Sequence, residues 1–167
     1  MPRTHEHGKL IIRPMEAGDA AVVVEMAREL AAALDDAEPV LQPSDLVRDG
    51  IEPDRWFECL VADVGGEVIG YALFCRGFEA HKAKRRLWLS DLYVRTHARR
   101  TGAGRALMAA VAEQATAQGC EAVYWDLWRL NRAGKAFYES LGAIEIGDLA
   151  IWHIASRRLA TTSDKIP

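Results

Sequence analysis

The chain has 167 residues, half of them hydrophobic and 27% charged, and no apolar run reaches the roughly 18 residues that a membrane span needs. A chain of this length builds a core as one domain without disulfides or a structural metal. The 21 Lys and Arg against 24 Asp and Glu leave a net charge of −3, which disfavours a dedicated nucleic-acid binder and leaves room only for a local basic patch.

Residues 1–9 read as a flexible tail with no secretory signal, and the His5-x-His7 pair within it offers too few ligands for a metal. Residues 10–155 read as a single domain and 156–167 as a C-terminal tail. Leu10-Ile11-Ile12-Arg13 is a short strand closed by Pro14, and Asp19 is placed to cap a helix in which Val23, Met26, Leu30 and Leu34 share one face. An acidic loop, Asp35 to Pro39, precedes a short helix from Ser44 to Gly50. Trp56–Ala62 and Val68–Cys75 flank Asp63-Val64-Gly65-Gly66 as a β-hairpin. Gly77 to Arg86, with Lys82, Lys84, Arg85 and Arg86, is expected to be a basic loop before a strand over Leu87–Val94. Gly104–Gln118 is a helix with Leu107, Val111 and Ala115 on one stripe, ended by Gly119. A strand over Cys120–Leu127, a helix over Ala133–Ser140, and strands over Ile144–Ile146 and Leu149–Ile154 complete the pattern. Helices interleaved with strands indicate an α/β or α+β fold with a mixed sheet. Cys59, Cys75 and Cys120 are odd in number and widely spaced, as expected of reduced thiols in a cytoplasmic protein.

Most of the chemistry lies in Arg99-Arg100-Thr101-Gly102-Ala103-Gly104-Arg105, between a strand and an amphipathic helix. Two glycines two residues apart aim backbone N–H groups at one point, the helix N-terminus adds its positive dipole end, and the arginines add mobile charge. A tight loop with a solvated basic rim is the alternative. Neither G-x-x-x-x-G-K-[ST] nor G-x-G-x-x-G is present, which argues against an NTPase or a dinucleotide dehydrogenase.

Arg99-x-x-Gly102-x-Gly104 after Leu92-Tyr93-Val94, followed by Asn131, Phe137-Tyr138 and Leu141-Gly142-Ala143, resembles the GNAT superfamily of N-acetyltransferases. Asp91-Leu92-Tyr93-Val94 and the Phe-Tyr-x-x-x-Gly-Ala ending resemble its diamine (spermidine/spermine-type) branch. The resemblance implies a mixed, mostly antiparallel sheet with a central parallel pair splayed into a V and helices on both faces. It implies acetyl-CoA as co-substrate, its pyrophosphate held by Arg100, Thr101, Gly102, Ala103, Gly104 and Arg105 with Arg99 beside them. The pantetheine arm would pair with main chain of Leu92, Tyr93 and Val94, and Asn131, Arg132, Ala133 and Gly134 would meet the cofactor from the other arm of the V. Asn131 is also a helix N-cap by position. Tyr138 matches the family's general acid, a phenol able to protonate the departing thiolate, while packing beside Phe137 is the alternative reading. The main-chain N–H of Leu92 would meet the acetyl oxygen.

Two positions depart from the branch: Ser90 stands where it has a Glu that handles the acceptor amine, and Leu130 where it has Trp. On a regular strand Asp91 and Ser90 face opposite ways, so Asp91 does not simply replace that Glu, and Asp126 is another carboxylate within the motif region. Asp35, Asp36 and Glu38 either attract a cationic acceptor or form a solvated acidic loop. The expectation is a cytoplasmic enzyme that moves acetyl directly to a small aliphatic amine, a polyamine, diamine or lysine-like molecule. Protein N-termini and antibiotic amines are alternative acceptors, and a non-catalytic acyl-CoA sensor is the alternative class. A homodimer is expected from the family, with no nucleic acid, membrane or metal partner.

Overall fold

Five strands form one sheet in chain order: β1 (Leu10–Pro14), β2 (Glu58–Val64), β3 (Glu67–Glu79), β4 (Lys84–Val94) and β5 (Cys120–Tyr124). The first four are joined antiparallel and β4 pairs β5 in parallel. This computed structural model describes residues 8–147; His5, His7 and the strand expected over Leu149–Ile154 lie outside them. The described residues divide after Arg132 into two compact units.

In the first unit, α1 (Ala20–Ala33) and α2 (Pro43–Gly50) cover one face of the sheet and α3 (Ala103–Ala117) the other. Val23 and Met26 of α1 and Leu46 of α2 are fully buried with Val61 and Tyr71, while Leu107, Val111 and Ala115 of α3 pack with Ala72, Phe74, Leu87 and Leu89. The spacings of three and four in α1 and α3 thus build two cores on a two-sided sheet, and area burial drives both. Pro14, Gly119 with φ +68, and the Gly65-Gly66 turn with both φ positive end their elements as their chemistry dictates.

Several expectations need correction. Trp56 is 82% exposed and outside β2, which starts at Glu58. The stretch Gly77–Arg86 is not a loop: β3 runs to Glu79 and β4 begins at Lys84, so only a 3-10 turn over Ala80–Lys82 and Ala83 joins them. Cross-strand pairing of Phe78 with Arg85 and Glu79 with Lys84 sustains this extension despite its charge, and Lys82 is bonded to Glu79 at 3.0 Å. Asp19 does not cap α1 with its side chain. Its carboxylate instead accepts from Arg13 at 2.6 and 3.0 Å and from the Glu16 N–H at 2.8 Å, and Arg13 also reaches Asp63 at 2.9 Å. The Arg13 guanidinium holds the Asp19 carboxyl below the usual range, so this network ties β1 and β2 to the start of α1. β5 ends at Tyr124, short of Leu127.

Three register shifts interrupt the sheet, one of them between β4 and β5 at Arg85/Arg86. Between β2 and β3 the register shifts at Ala62/Asp63, and between β3 and β4 at Leu73/Phe74, where Leu73 opposes Asp91 and Phe74 opposes Leu89. Ser90 is the extra residue on β4. Before it, Leu87 and Leu89 face α3; after it, Leu92 and Val94 take the α3 side, and Tyr93 joins the α1 side. One inserted residue therefore reverses the parity of the last part of β4.

The second unit opens with α4 (Arg132–Glu139), which ends in a turn with Gly142 at φ +85. Phe137 and Tyr138 are both half-buried, their rings meeting edge to face at 5.2 Å. Lys135 bonds Glu145 at 2.8 Å. Residues Ile144–Ile146 form no strand, contrary to expectation, although both isoleucines are β-branched; β-propensity depends on context.

Candidate functional site

The last pair between the parallel strands is Trp88 with Tyr124, yet β4 continues to Val94. Over Asp91–Val94 the strand is paired with β3 and, among the described residues, not with β5. One edge of its main chain is thus left beyond the point where the two strands separate.

β4 then leads through a 3-10 turn, Thr96–Ala98, into the glycine loop. Arg100 has φ +65 and Gly102 φ +92, and α3 starts at Ala103 with its first helical bond from Ala106 N–H to the Gly102 carbonyl at 2.9 Å. The N–H groups of Ala103 and Gly104 precede that bond, at the helix end where backbone donors find no acceptor in a preceding turn. No acidic side chain offsets them in the first turn. A Cβ built on Gly102 meets nothing within 4 Å, so the glycine serves the left-handed backbone and leaves open space above it for an incoming group. Thr101 Oγ1 donates to the Ala98 carbonyl at 2.7 Å and stiffens the approach. The loop is a positive nest of the kind that receives phosphate oxygens.

Arg99 is less free than a mobile charge. Its Nε donates to the Val94 carbonyl at 3.1 Å and its guanidinium lies 5.6 Å from the centre of the Tyr93 ring. Arg100 and Arg105 are exposed. Leu92 and Val94 are half-buried toward α3, and Tyr93 is buried toward α1 with its hydroxyl donating to Glu29 at 3.0 Å.

At the parting of the strands stands Asp91. The hydroxyl of Tyr71, itself 1% exposed, donates to its Oδ2 at 3.3 Å. Burial pushes the Asp91 carboxyl above the ordinary range, and the negative charge of Asp126 beyond β5 adds to the shift, against the Tyr71 bond. Strict alternation does not hold across Ser90, so the bulge, not the strand, decides where Asp91 points: to the α1 side, with Tyr71. Ser90 itself is exposed. A buried carboxyl beside a second negative charge favours an incoming cation, which offsets the cost of its ionised form.

Asn131 precedes α4 directly, its N–H donating to the Trp128 carbonyl at 2.8 Å, and Arg132, Ala133 and Gly134 form the first turn. Tyr138 lies in the second unit beside Phe137, so its packing contact is real. Asp35, Asp36 and Glu38 are exposed; Glu38 pairs with Arg28 at 3.5 Å, Asp36 caps the Ala37 N–H at 2.7 Å, and Asp35 adopts φ +54. Lys84 pairs with Glu121 at 3.3 Å, Arg85 donates to the Gln118 carbonyl, and Arg86 lies over Tyr124. A groove of about 630 Å³ lined by Arg76, Phe78, Arg85 and Gln118 lies where β4 begins and α3 ends, away from the glycine loop. Among the described residues no group of three metal-ligating side chains occurs, and no helix is long and apolar enough to cross a membrane. The described cysteines are free, and burial pushes the Cys59 thiol up to about 12. Sequence reading missed Tyr71, Glu29 and Arg95. The spacing of four between Glu25 and Glu29 on α1 was the available signal for Glu29 alone.

Comparison with known proteins agrees with this layout. The chain is 28% identical over 153 residues to thialysine N-epsilon-acetyltransferase of Bos taurus, covering 86% of this chain and 89% of the relative. It is 29% identical over 153 residues to spermidine/spermine N(1)-acetyltransferase-like protein 1 of Homo sapiens, of whose longer chain it spans 22%. Its fold matches ribosomal-protein-alanine N-acetyltransferase from Brucella melitensis with a TM-score of 0.71 at 22% identity, covering 88% of this chain and 99% of that one. An integron cassette protein from the mobile metagenome of V. cholerae matches with a TM-score of 0.74 at 22% identity, covering 92% and 97%. Residues 25–143, which run from α1 through the open edge of β4, the glycine loop and α4, match the acetyltransferase (GNAT) family, and the chain belongs to that family.

Proposed function

We propose that the protein is an acetyl-CoA-dependent N-acetyltransferase whose acceptor is the primary amine of a small aliphatic cation, a diamine, polyamine or lysine-like molecule. The observation that carries the reading is the junction of β4 and α3: a strand with one open edge leads through a left-handed turn into a helix N-terminus. An amide-bearing pantetheine arm needs main-chain partners and a pyrophosphate needs a positive nest, and the junction offers both. The open space above Gly102 fits such a ligand. In this reading Leu92, Tyr93 and Val94 pair with the arm. Arg100, Thr101, Gly102, Ala103, Gly104 and Arg105, with Arg99, hold the pyrophosphate, and Asn131 to Gly134 contribute as the family resemblance implies.

On the acceptor side, Asp91, with Asp126 next to it, attracts the ammonium and takes one of its protons. The neutral nitrogen attacks the thioester carbonyl, whose oxygen the Leu92 N–H receives; the C–N bond forms and the C–S bond breaks. Tyr138 protonates the departing sulfur. The second proton lost by nitrogen restores the phenol, and the proton on Asp91 returns to solvent, so one proton is released per amide formed. The names of the relatives, a thialysine and a spermidine/spermine-type acetyltransferase, support a cationic acceptor. No cysteine lies in either motif, in keeping with direct transfer.

The test is thiol release from acetyl-CoA against a panel of diamines, polyamines, lysine analogues, aminoglycosides and peptides. Saturable release with aliphatic diamines or lysine analogues is expected. Release only with aminoglycosides or peptide N-termini would replace the acceptor class, and acetyl-CoA binding without any turnover would leave a sensor.

A further inference from the structure

The end of β4 is fastened to α1 by side chains that none of the steps above uses. Glu29 accepts from the Tyr93 hydroxyl at 3.0 Å and lies 3.5 Å from Arg95 Nε; Glu25, one turn earlier, lies 3.0 Å from Arg95 Nη2. Arg95 is anchored in turn by its own N–H to the Ile69 carbonyl at 2.9 Å, and its side chain is only 18% exposed. Its buried Nε and Nη2 meet no acceptor in good hydrogen-bond geometry, so the two glutamates compensate a desolvated cation chiefly by charge. Tyr93 is the platform in this arrangement. One end of its ring system is held by Glu29, and Arg99, the first residue of the glycine loop motif, lies over its face while bonding the Val94 carbonyl.

We infer that Glu29 is a positioning residue for the glycine loop: by fixing the Tyr93 ring and Arg95 it sets where Arg99 and the first loop residues stand. The inference rests on the reading that this loop holds the pyrophosphate of acetyl-CoA. Without Glu29 the Tyr93 hydroxyl keeps only Thr96 as a side-chain partner, Arg95 keeps one carboxylate of two, and the loop entrance gains freedom that ligand binding must then remove. The burden falls on cofactor affinity, because Glu29 touches neither the reacting amine nor the thioester in this scheme. It also makes α1 a wall that feels the cofactor side of the site.

The experiment measures acetyl-CoA affinity by calorimetric titration, with kcat and both KM values, for wild type, Glu29→Ala, Glu29→Gln, Tyr93→Phe, Arg99→Ala and the double variant Glu29→Ala/Arg99→Ala. Glu29→Ala is expected to weaken acetyl-CoA binding about tenfold, a coupling typical of side chains in direct contact, with kcat at saturating cofactor within about twofold. Tyr93→Phe, which keeps the ring, should lose about threefold by the same coupling, and Glu29→Gln, which keeps an acceptor for the hydroxyl, should recover part of the loss. In the Arg99→Ala background, removal of Glu29 should change affinity by less than about twofold, since the two act through one path. A purely structural Glu29 would lower Tm in all backgrounds and leave the affinity of the folded protein unchanged. If Glu29→Ala does not fold, Tyr93→Phe decides: unaltered acetyl-CoA affinity overturns the inference. A wild-type protein that binds no acetyl-CoA overturns the cofactor reading and this inference with it, whereas wild-type affinity in Glu29→Ala and Tyr93→Phe beside weakened binding by Arg99→Ala overturns this inference alone.

Discussion

β4 before Ser90 and β4 after it are one strand with two jobs. Before the bulge, Leu87 and Leu89 are buried against α3 and the main chain is paired on both sides, with β3 and with β5. After it, parity is reversed, the β5 side is open, and the side chains of Asp91 and Tyr93 turn toward α1. The first half is a core element whose free energy comes from apolar burial. In the second half the backbone is free to meet a ligand on one edge while polar side chains work on the opposite side of the sheet from α3. A single inserted residue is enough to separate scaffold from site, and the glycine loop begins where that second half ends.

The largest predicted effect tests the general acid role that the family resemblance implies for Tyr138. Tyr138→Phe should lower kcat by about 100-fold or more, within the usual range for loss of a positioned acid, while acetyl-CoA affinity is kept. Unchanged turnover across the pH range would leave Tyr138 as the packing partner of Phe137. Next in size, Gly102→Val imposes a branched side chain at φ +92 in the space the loop leaves open. Acetyl-CoA affinity should fall about 100-fold from strain and obstruction together in a protein that remains folded by circular dichroism. Equal affinity would remove the loop from the binding surface.

Asp91→Asn sharpens the contrast between core and site. It should lower kcat/KM for the amine about tenfold or more and flatten the rise of activity with pH, as loss of a proton acceptor requires. Stability should move the other way. The folded carboxyl titrates above its unfolded value, so the native state binds more protons and stability is lost as pH rises from the unfolded pKa through the folded one. The Asn variant should therefore gain Tm at pH 7 and none at pH 3. An Asn variant that loses activity and stability together at pH 7 would assign Asp91 a structural role. The smallest effect belongs to the exposed acidic loop: Asp35→Asn with Asp36→Asn should raise KM for a dicationic amine about two- to threefold over a monoamine, given screening at the surface. Equal KM changes would leave these as surface charge.

The two halves were also unequally legible. The α3 stripe, the hairpin glycines and the loop Arg99–Arg105 stand out because each rests on a local rule: helical period, positive φ, helix N-terminus. Gly102 is readable because only a backbone requirement explains it. The charged stretch Lys84–Arg86 misleads for the opposite reason, since its strand forms through hairpin pairing with Phe78 and Glu79 across Ala80–Ala83, a connection with no glycine to mark the turn. Ser90 likewise carries no local mark of a bulge. Strict alternation turns Asp91 the wrong way, and only the register of Leu73 and Phe74 against β4 corrects it. Asp19 was legible as a helix-start residue, but its partner Arg13 becomes visible only once β1 lies beside β2. The Glu29–Tyr93–Arg95 contacts join α1 to the end of β4 and the residue after it and need the tertiary fold to be seen at all.

The central claim is that the main chain after Ser90 and the first turn of α3 receive acetyl-CoA. Backbone amide NMR during titration with acetyl-CoA tests it most directly. The account predicts saturable shifts concentrated at Leu92, Tyr93 and Val94 and at Gly102 to Arg105, with little change at Leu87, Leu89 or the Arg76–Arg85 groove. Shifts centred on that groove, or a titration that leaves Leu92–Val94 and Gly102–Arg105 unmoved, would contradict it.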